Sequence, residues 1–450
     1  MRIERVGVVG AGTMGSGIAQ LASLGGFETW LHDPLPDALA AGDKRLRDGL
    51  AKGAAKGMWS ESEASAAGER LRATLELEEL SGCELVIEAA PEDLALKRGL
   101  FDRLASICGP DAILVTNTSS LSVTAIAAGT ERPERVCGMH FFNPPPLMRL
   151  VEIVAGDDTA TETVEAATDV ARAMRREPIQ AADGIGFVAN RCARPLTLEA
   201  LRLLGERIAP LDQIDRIVRI GGGFRMGPFE LMDLVGVDVN FEVAKSFWEQ
   251  SFHEPRWQPH PIQARTVAAG RHGKKTGRGY HDYSQGPHRP DDPEPPSREP
   301  GWQPDPTLEE SVHYVAMPNL EASRLVEVAR DESMSDDEAA AVKCYFQAAG
   351  KHVEWVGEAP GLVLGRILAQ IVNEAHFAVS EGIAAADDCD TAMRLGFNWP
   401  RGPFEWGRAI GLGRAVAILD SLHRSLGEER YRVSPLLRAR AAEEPPRDQS

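Results

Sequence analysis

The chain has 450 residues, 43% of them hydrophobic and 26% charged, with a formal net charge of −18. That length suits roughly two to four domains, and the acidic balance argues against nucleic acid as a partner. No apolar run approaches the roughly 20 residues of a spanning helix, so no membrane partner is expected. The first residues enter a strand rather than a secretory leader. The six cysteines, Cys83, Cys108, Cys137, Cys192, Cys344 and Cys389, lack metal-type or redox-type spacing. A cytoplasmic protein with reduced thiols and no metal follows.

Residues 5–33 read as strand, glycine-rich turn, helix and strand. Residues 5–9 are short, β-branched and apolar; Gly10-Ala11-Gly12-Thr13-Met14-Gly15 follows, and residues 16–24 have helical apolar spacing. A second strand over 27–32 ends at Asp33. Glycines in that context let a pyrophosphate approach the backbone and meet the amides of the helix N-terminus. An acid some 20 residues on accepts from the ribose hydroxyls and repels a 2′-phosphate, which selects NAD over NADP.

Residues 34–70 read as amphipathic helix carrying Lys44, Arg45, Arg47, Lys52 and Lys56. This basic face is either solvated surface or a seat for a phosphorylated substrate. A buried strand at 85–88 leads to Glu92 and Lys97, and another at 113–116 leads to Asn117, Thr118, Ser119 and Ser120. In open parallel sheets, ligands sit beyond the carboxyl ends of the strands. Ser119 and Ser120 either face such a ligand or cap the next helix.

Two apolar strands, 135–139 and 150–154, flank the turn Asn143-Pro144-Pro145-Pro146. Prolines cannot continue a ladder, so the chain turns there. His140 leaves one strand and Glu152 sits in the other, where the two side chains can meet. The pair is either a structural contact or a general base held by a carboxylate. A helix over 159–175 and a strand over 178–181 close this region. From Gly186 the pattern is helical, over 187–207, 211–221, 229–252 and 261–269. Asn190, in the first turn of the first of these helices, either faces a cleft or bonds locally. Residues 285–309, rich in Pro, Asp and Glu, read as an exposed linker.

The last third repeats the middle at a fixed offset of 175 residues. Glu152 returns as Glu327 (327 − 152), Arg191 as Arg366, and Gly227-Pro-Phe-Glu230 as Gly402-Pro-Phe-Glu405 (405 − 230). A fixed period marks duplicated structure. The chemistry is not repeated: His140 becomes Val315 and Asn190 becomes Gly365. The second copy is therefore a scaffold. The expected division is 1–183, a Rossmann-like dinucleotide-binding domain; 184–284, a helical domain; 285–310, the linker; 311–360, a remnant strand–helix segment; and 361–450, a second helical copy.

Across residues 1–285 these motifs, with Met226-Gly-Pro-Phe-Glu230 and Gly273-Lys-Lys275-Thr-Gly-Arg-Gly-Tyr280, resemble the L-3-hydroxyacyl-CoA dehydrogenase family. The duplicated tail resembles its longer bacterial members, among them those acting on 3-hydroxyadipyl-CoA or 3-hydroxybutyryl-CoA. The resemblance implies an α/β doubly wound sheet followed by two helical units of the family's C-terminal type. It implies NAD-dependent oxidation of an L-3-hydroxyacyl-CoA thioester to the 3-oxo form, in fatty-acid or aromatic-acid degradation. His140 is then the general base, Glu152 its partner, and Ser119 and Asn190 the groups that bond the reacting oxygen. Asp33, Glu92, Lys97, Ser119, Asn143 and Lys275 line the NAD site beside the glycine turn, and Lys56 meets CoA phosphate. Pro145 and Pro146 depart from the family in stiffening the turn after Asn143. The competing readings are a dehydrogenase of free 3-hydroxy acids or sugar acids, and an idle NAD-binding structural protein. The oligomer expected is a homodimer, or a monomer whose duplicated unit stands in for a partner.

Overall fold

The computed structural model describes residues 2–330 and 333–444. They form two compact units that do not follow chain order. The first runs to residue 188 and adds residues 382–396; the second comprises residues 189–381 and those from 397 on.

The first unit is built on eight strands: β1 (Arg5–Val9), β2 (Glu28–His32), β3 (Leu71–Thr74), β4 (Leu85–Glu88), β5 (Ile113–Thr116), β6 (Val136–Phe141), β7 (Leu150–Ala155) and β8 (Glu177–Ala182). Their order in the sheet is β3-β2-β1-β4-β5-β6-β7-β8, and every pairing is parallel except β6 with β7. This is the doubly wound arrangement that alternating strands and helices predict. Side chains alternate across a strand, so Val6 and Val8, Leu85 and Ile87, Ile113 and Val115, and Met139 with Cys137 enter one apolar core. The helices Thr13–Leu24, Pro36–Ala55 and Thr161–Ala173 supply Ile18, Leu46 and Val170 to it. Residues 382–396 lie against the far edge of the sheet, where Ala182 N–H donates to the Ile383 carbonyl at 2.8 Å.

The second unit is mostly helical. Its helices include Ala189–Gly205, Val237–Gln250 and Leu364–Ser380, and it carries a small sheet of β9 (Tyr314–Ala316), β10 (Leu325–Ala329) and β11 (His352–Val356). Here β9 and β10 run antiparallel, with Val315 opposite Glu327. In β6 and β7 the opposed pair is His140 and Glu152. The backbones of the two copies correspond at several special positions, although the π turn at Ile217–Gly221 is α-helical in the second copy. Positive φ recurs at Phe187 and Leu362 (49° and 48°), Gly236 and Gly411 (107° and 88°), and Phe252 and Gly427 (52° and 67°), each pair 175 apart (362 − 187).

Some elements differ from the sequence reading. Residues 34–70 form two helices, Pro36–Ala55 and Glu61–Glu69, because Ser60 opens a capping box with Glu63. β3 is a short strand whose central residues Arg72 and Ala73 are exposed, which hides its apolar pattern. The helix expected over 229–252 breaks at Gly236 into Pro228–Val235 and Val237–Gln250. The helix over 211–221 changes from α to π at Ile217. The acidic linker is anchored as well as exposed: Asp292 accepts from Arg219 at 2.8 Å, and Arg289 donates to Glu230 at 2.6 Å.

Candidate active site

The Gly10–Gly15 turn joins β1 to the helix Thr13–Leu24. Gly10 has φ +100°, and a Cβ there would lie 2.6 Å from the Ala89 carbonyl, so only glycine fits. A Cβ on Gly12 would meet nothing within 4 Å. The backbone there borders open space of the kind a pyrophosphate needs. Asp33, at the end of β2, accepts from Ala11 N–H at 2.9 Å and from Leu35 N–H at 3.0 Å. These bonds fix its carboxylate beside the turn with lone pairs to spare for ribose hydroxyls. The chain's residues fit a bound NAD.

Arg45 was legible in the sequence only as one charge in a basic run. Its guanidinium turns inward and bridges the Ala11 carbonyl and Ser16 Oγ, at 3.3 and 3.2 Å. Lys44 and Arg47 are paired along their own helix with Asp48 and Asp43. The basic face is therefore largely neutralised. Lys56 stands at the end of that helix, exposed and without an ion pair among the described residues.

Beyond β4 and β5 the loops are tied to one carboxylate. Glu92 accepts from Thr118 Oγ1 at 2.6 Å, Ser119 N–H at 3.0 Å, and Ser120 N–H and Oγ at 3.1 and 3.0 Å. Burial pushes its pKa up, but Thr118, Lys97 and the serines outweigh it and hold it below the usual carboxylate value. Lys97 is fully buried and pairs with Glu88 at 2.6 Å and Glu92 at 3.3 Å. Glu88 was not singled out in the sequence, although an acid at a strand end nine residues before a lysine is a usable signal. Ser122, not Ser119 or Ser120, caps the helix Val123–Ala127. Ser119 is exposed, and its hydroxyl has no partner among the described residues.

The strand register brings His140 and Glu152 together. His140 Nδ1 lies 2.6 Å from Glu152 Oε2. The carboxylate is fully buried, and its other oxygen accepts from Val188 N–H at 3.0 Å. The imidazole, 7% exposed, is flanked by Phe142 and Phe187 at 4.7 and 5.9 Å. Asn117 Oδ1 accepts from Phe141 N–H at 2.9 Å and so links the serine loop to the end of β6. Asn143 is exposed in the turn after β6. A carboxylate on Nδ1 selects the tautomer whose Nε2 is free to take a proton. Asn190 and Lys275 belong to the second unit. The Asn190 amide has no partner among the described residues, and Lys275 Nζ pairs with Asp238 at 2.7 Å.

The strand order, the glycine turn and the acid at the end of β2 define the class: a Rossmann-type dinucleotide-binding protein suited to NAD. Comparison with known proteins narrows it. The family model described as 3-hydroxyacyl-CoA dehydrogenase, NAD binding domain, matches residues 5–184. The model for the C-terminal domain matches twice, at 186–283 and 361–448. An Escherichia coli protein named 3-hydroxyadipyl-CoA dehydrogenase is 37% identical over 98% of both chains. A crystal structure of 3-hydroxybutyryl-CoA dehydrogenase from E. coli superposes with a TM-score of 0.91 at 36% identity, covering 99% of each chain. The (S)-3-hydroxybutyryl-CoA dehydrogenase structure from Ralstonia eutropha, at 36% identity and TM-score 0.61, covers 63% of this chain and all of its own. The chain belongs to the 3-hydroxyacyl-CoA dehydrogenase family and is an NAD-dependent oxidoreductase.

Proposed function

We propose that His140 is the general base in oxidation of an L-3-hydroxyacyl-CoA thioester to its 3-oxo form, with Glu152 as its fixed partner. The observation that carries this is the 2.6 Å bond from His140 Nδ1 to a buried carboxylate. Nε2 takes the proton of the 3-hydroxyl, and Glu152 stabilises the imidazolium that forms. NAD, when bound, accepts the hydride from the third carbon. In reverse, protonated His140 is the acid. Ser119 and Asn190 bond the reacting oxygen. Their unpartnered side chains support this role, as such groups are available to a ligand. Asp33 holds ribose, the Gly10–Gly15 amides hold pyrophosphate, and Glu92 with Lys97 sets the loop that presents Ser119; Asn143 and Lys275 border the cofactor. Lys56 takes a CoA phosphate.

The decisive experiment is NADH formation with a panel of 3-hydroxyacyl-CoA thioesters and the corresponding free acids. Turnover of thioesters alone is expected; turnover of the free acids alone overturns the assignment. The net charge of −18 disfavours nucleic acid as a partner, no described helix is long and apolar enough to cross a membrane, and a cytoplasmic location is part of the proposal.

The second helical copy is read as a stand-in for a partner subunit. Arg191 pairs with Glu374 and Glu381 at 2.8 and 2.7 Å; Arg366 pairs with Glu199 and, at 2.6 Å, with Glu206. Each residue of one set maps on the other at +175 (366 − 191, 374 − 199, 381 − 206). Reciprocity of this kind is the signature of an isologous two-fold interface. Deleting residues 300–450 is expected to give an insoluble or dimeric product. A soluble, stable, fully active monomer would count against the reading.

A further inference from the structure

The helix Ala189–Gly205 buries three arginines besides the reciprocal pairing just described for one of them: Arg191, Arg194 and Arg202 are all enclosed. Arg191 has two carboxylates, and Arg202 donates to the Gln258 carbonyl at 3.0 Å with Glu199 4.0 Å away. Arg194, 5% exposed, has neither. Its Nε and Nη1 are sealed from solvent without an acceptor, and no ion pair reaches it among the described residues. One face of the guanidinium lies over the Phe247 ring, 5.1 Å from its centre. A ring face attracts a cation but leaves the in-plane N–H groups unbonded. Burial alone acts on the group, pushing its pKa down to about 10. A buried cation without an anion costs several kcal/mol, so this one is expected to have a counter-ion that the chain does not supply.

Position supplies the second argument. Arg194 is four residues from Asn190 on one helix. Four residues advance about 6 Å along the axis and return to within about 40° of the same face. Helical side chains also lean toward the N-terminus, so Arg194 leans toward the turn that holds Asn190. Comparison of the copies supplies the third. At +175, Asn190 becomes Gly365 and Arg194 becomes Ala369, while Arg191 is kept as Arg366. The helix that has lost Asn190 has lost this cation with it and retained the structural arginine.

We propose that Arg194 binds the terminal carboxylate of a dicarboxylic 3-hydroxyacyl-CoA and makes the site selective for a six-carbon diacid over a monoacid. This rests on the reading that Asn190 bonds the oxygen on the third carbon. In a six-carbon diacyl chain the far carboxyl carbon lies three bonds beyond that carbon, about 4 Å. The guanidinium fork matches a carboxylate in two parallel hydrogen bonds. The E. coli relatives carry one name for a six-carbon diacid and one for a four-carbon monoacid. Arg194 assigns the present chain to the diacid.

The test compares 3-hydroxyadipyl-CoA with 3-hydroxyhexanoyl-CoA, equal in length and differing at the terminus, in wild type, Arg194→Met and Arg194→Lys. The methionine variant is expected to lose about 10²-fold or more in kcat/KM for the diacid while leaving the monoacid unchanged or improved. Lysine, keeping charge without the fork, should recover part of the loss. Binding is read separately as the shift in Tm on adding adipyl-CoA or hexanoyl-CoA, which lack the reacting hydroxyl. Only the adipyl shift should shrink in Arg194→Met. Equal changes for both thioesters, or no discrimination in the wild type, overturn the proposal. If the wild type oxidises neither thioester, the dehydrogenase reading fails, and the two Tm shifts still decide the role of Arg194.

Discussion

Two antiparallel strand pairs, β6–β7 and β9–β10, share a register but not a chemistry. Glu152 faces His140 in the first, and Glu327 faces Val315 in the second. Both carboxylates are fully buried, and both accept from the amides that open the following helix. Glu152 bonds Val188 N–H; Glu327 bonds Val363 and Leu364 N–H at 2.7 and 3.1 Å. Glutamate thus persists where the imidazole is gone. Its bond to the helix amides is a structural task in both copies, and holding an imidazole is an addition in one. Without a histidine beside it, Glu327 is governed mainly by burial, which lifts its pKa to about 8 despite the amides.

The sharpest test of that division is His140→Ala. Turnover should fall by roughly 10²–10⁴-fold, with NAD affinity, read by fluorescence titration, nearly unchanged. A smaller fall would make the first pair as structural as the second. Next come the arginines that join the copies. Arg366→Ala leaves the buried Glu199 with only the Tyr431 hydroxyl at 2.8 Å and Arg202 at 4.0 Å and should cost about 3–5 kcal/mol in urea unfolding. Arg191→Ala should cost less, because Glu374 and Glu381 keep Arg256 at 2.8 and 3.4 Å; no destabilisation from either change would break the two-fold reading. Ser119→Ala removes one hydroxyl from the active copy and should lower kcat by roughly 5- to 10-fold with no change in Tm, as for one lost hydrogen bond of about 1 kcal/mol.

The smallest effect is expected from Glu327→Gln near pH 5. A carboxyl whose folded pKa is raised favours folding while protonated, so its contribution is complete below the unfolded value and fades as pH rises through about 8. Wild-type stability should therefore decline between about pH 4.5 and 8 more steeply than that of Glu327→Gln. Urea midpoints at pH 5 and pH 8 measure it, and parallel declines would show that Glu327 does not titrate as described.

What could be read from the chain follows the range of the interactions. The meeting of His140 and Glu152 was legible because both lie near one proline turn, with apolar strands on either side setting the register. The glycine turn and Asp33 were legible because the dinucleotide fold places them within one strand–helix–strand unit. The pairing of Arg191 with Glu374 was not, since 183 residues separate them and the repeat alone does not say which copies touch. The break at Gly236 was hidden in a run with continuous helical spacing. The inward turn of Arg45 was masked by four other cations on the same stretch, and the isolation of Arg194 is a statement about absent neighbours, which no local pattern carries.

The return of residues 382–396 to the first sheet bears on how the chain is made. Its last strand is complete by residue 182, but the segment that bonds Ala182 begins at 382 and ends at 396. The nascent unit ending at residue 188 must wait for 208 more residues (396 − 188) to leave the ribosome. At roughly 5–20 residues per second that is a delay of roughly 10–40 s during which the end of β8 lacks this partner. During synthesis, that strand is where a chaperone would be needed and where a second nascent chain would most readily attach.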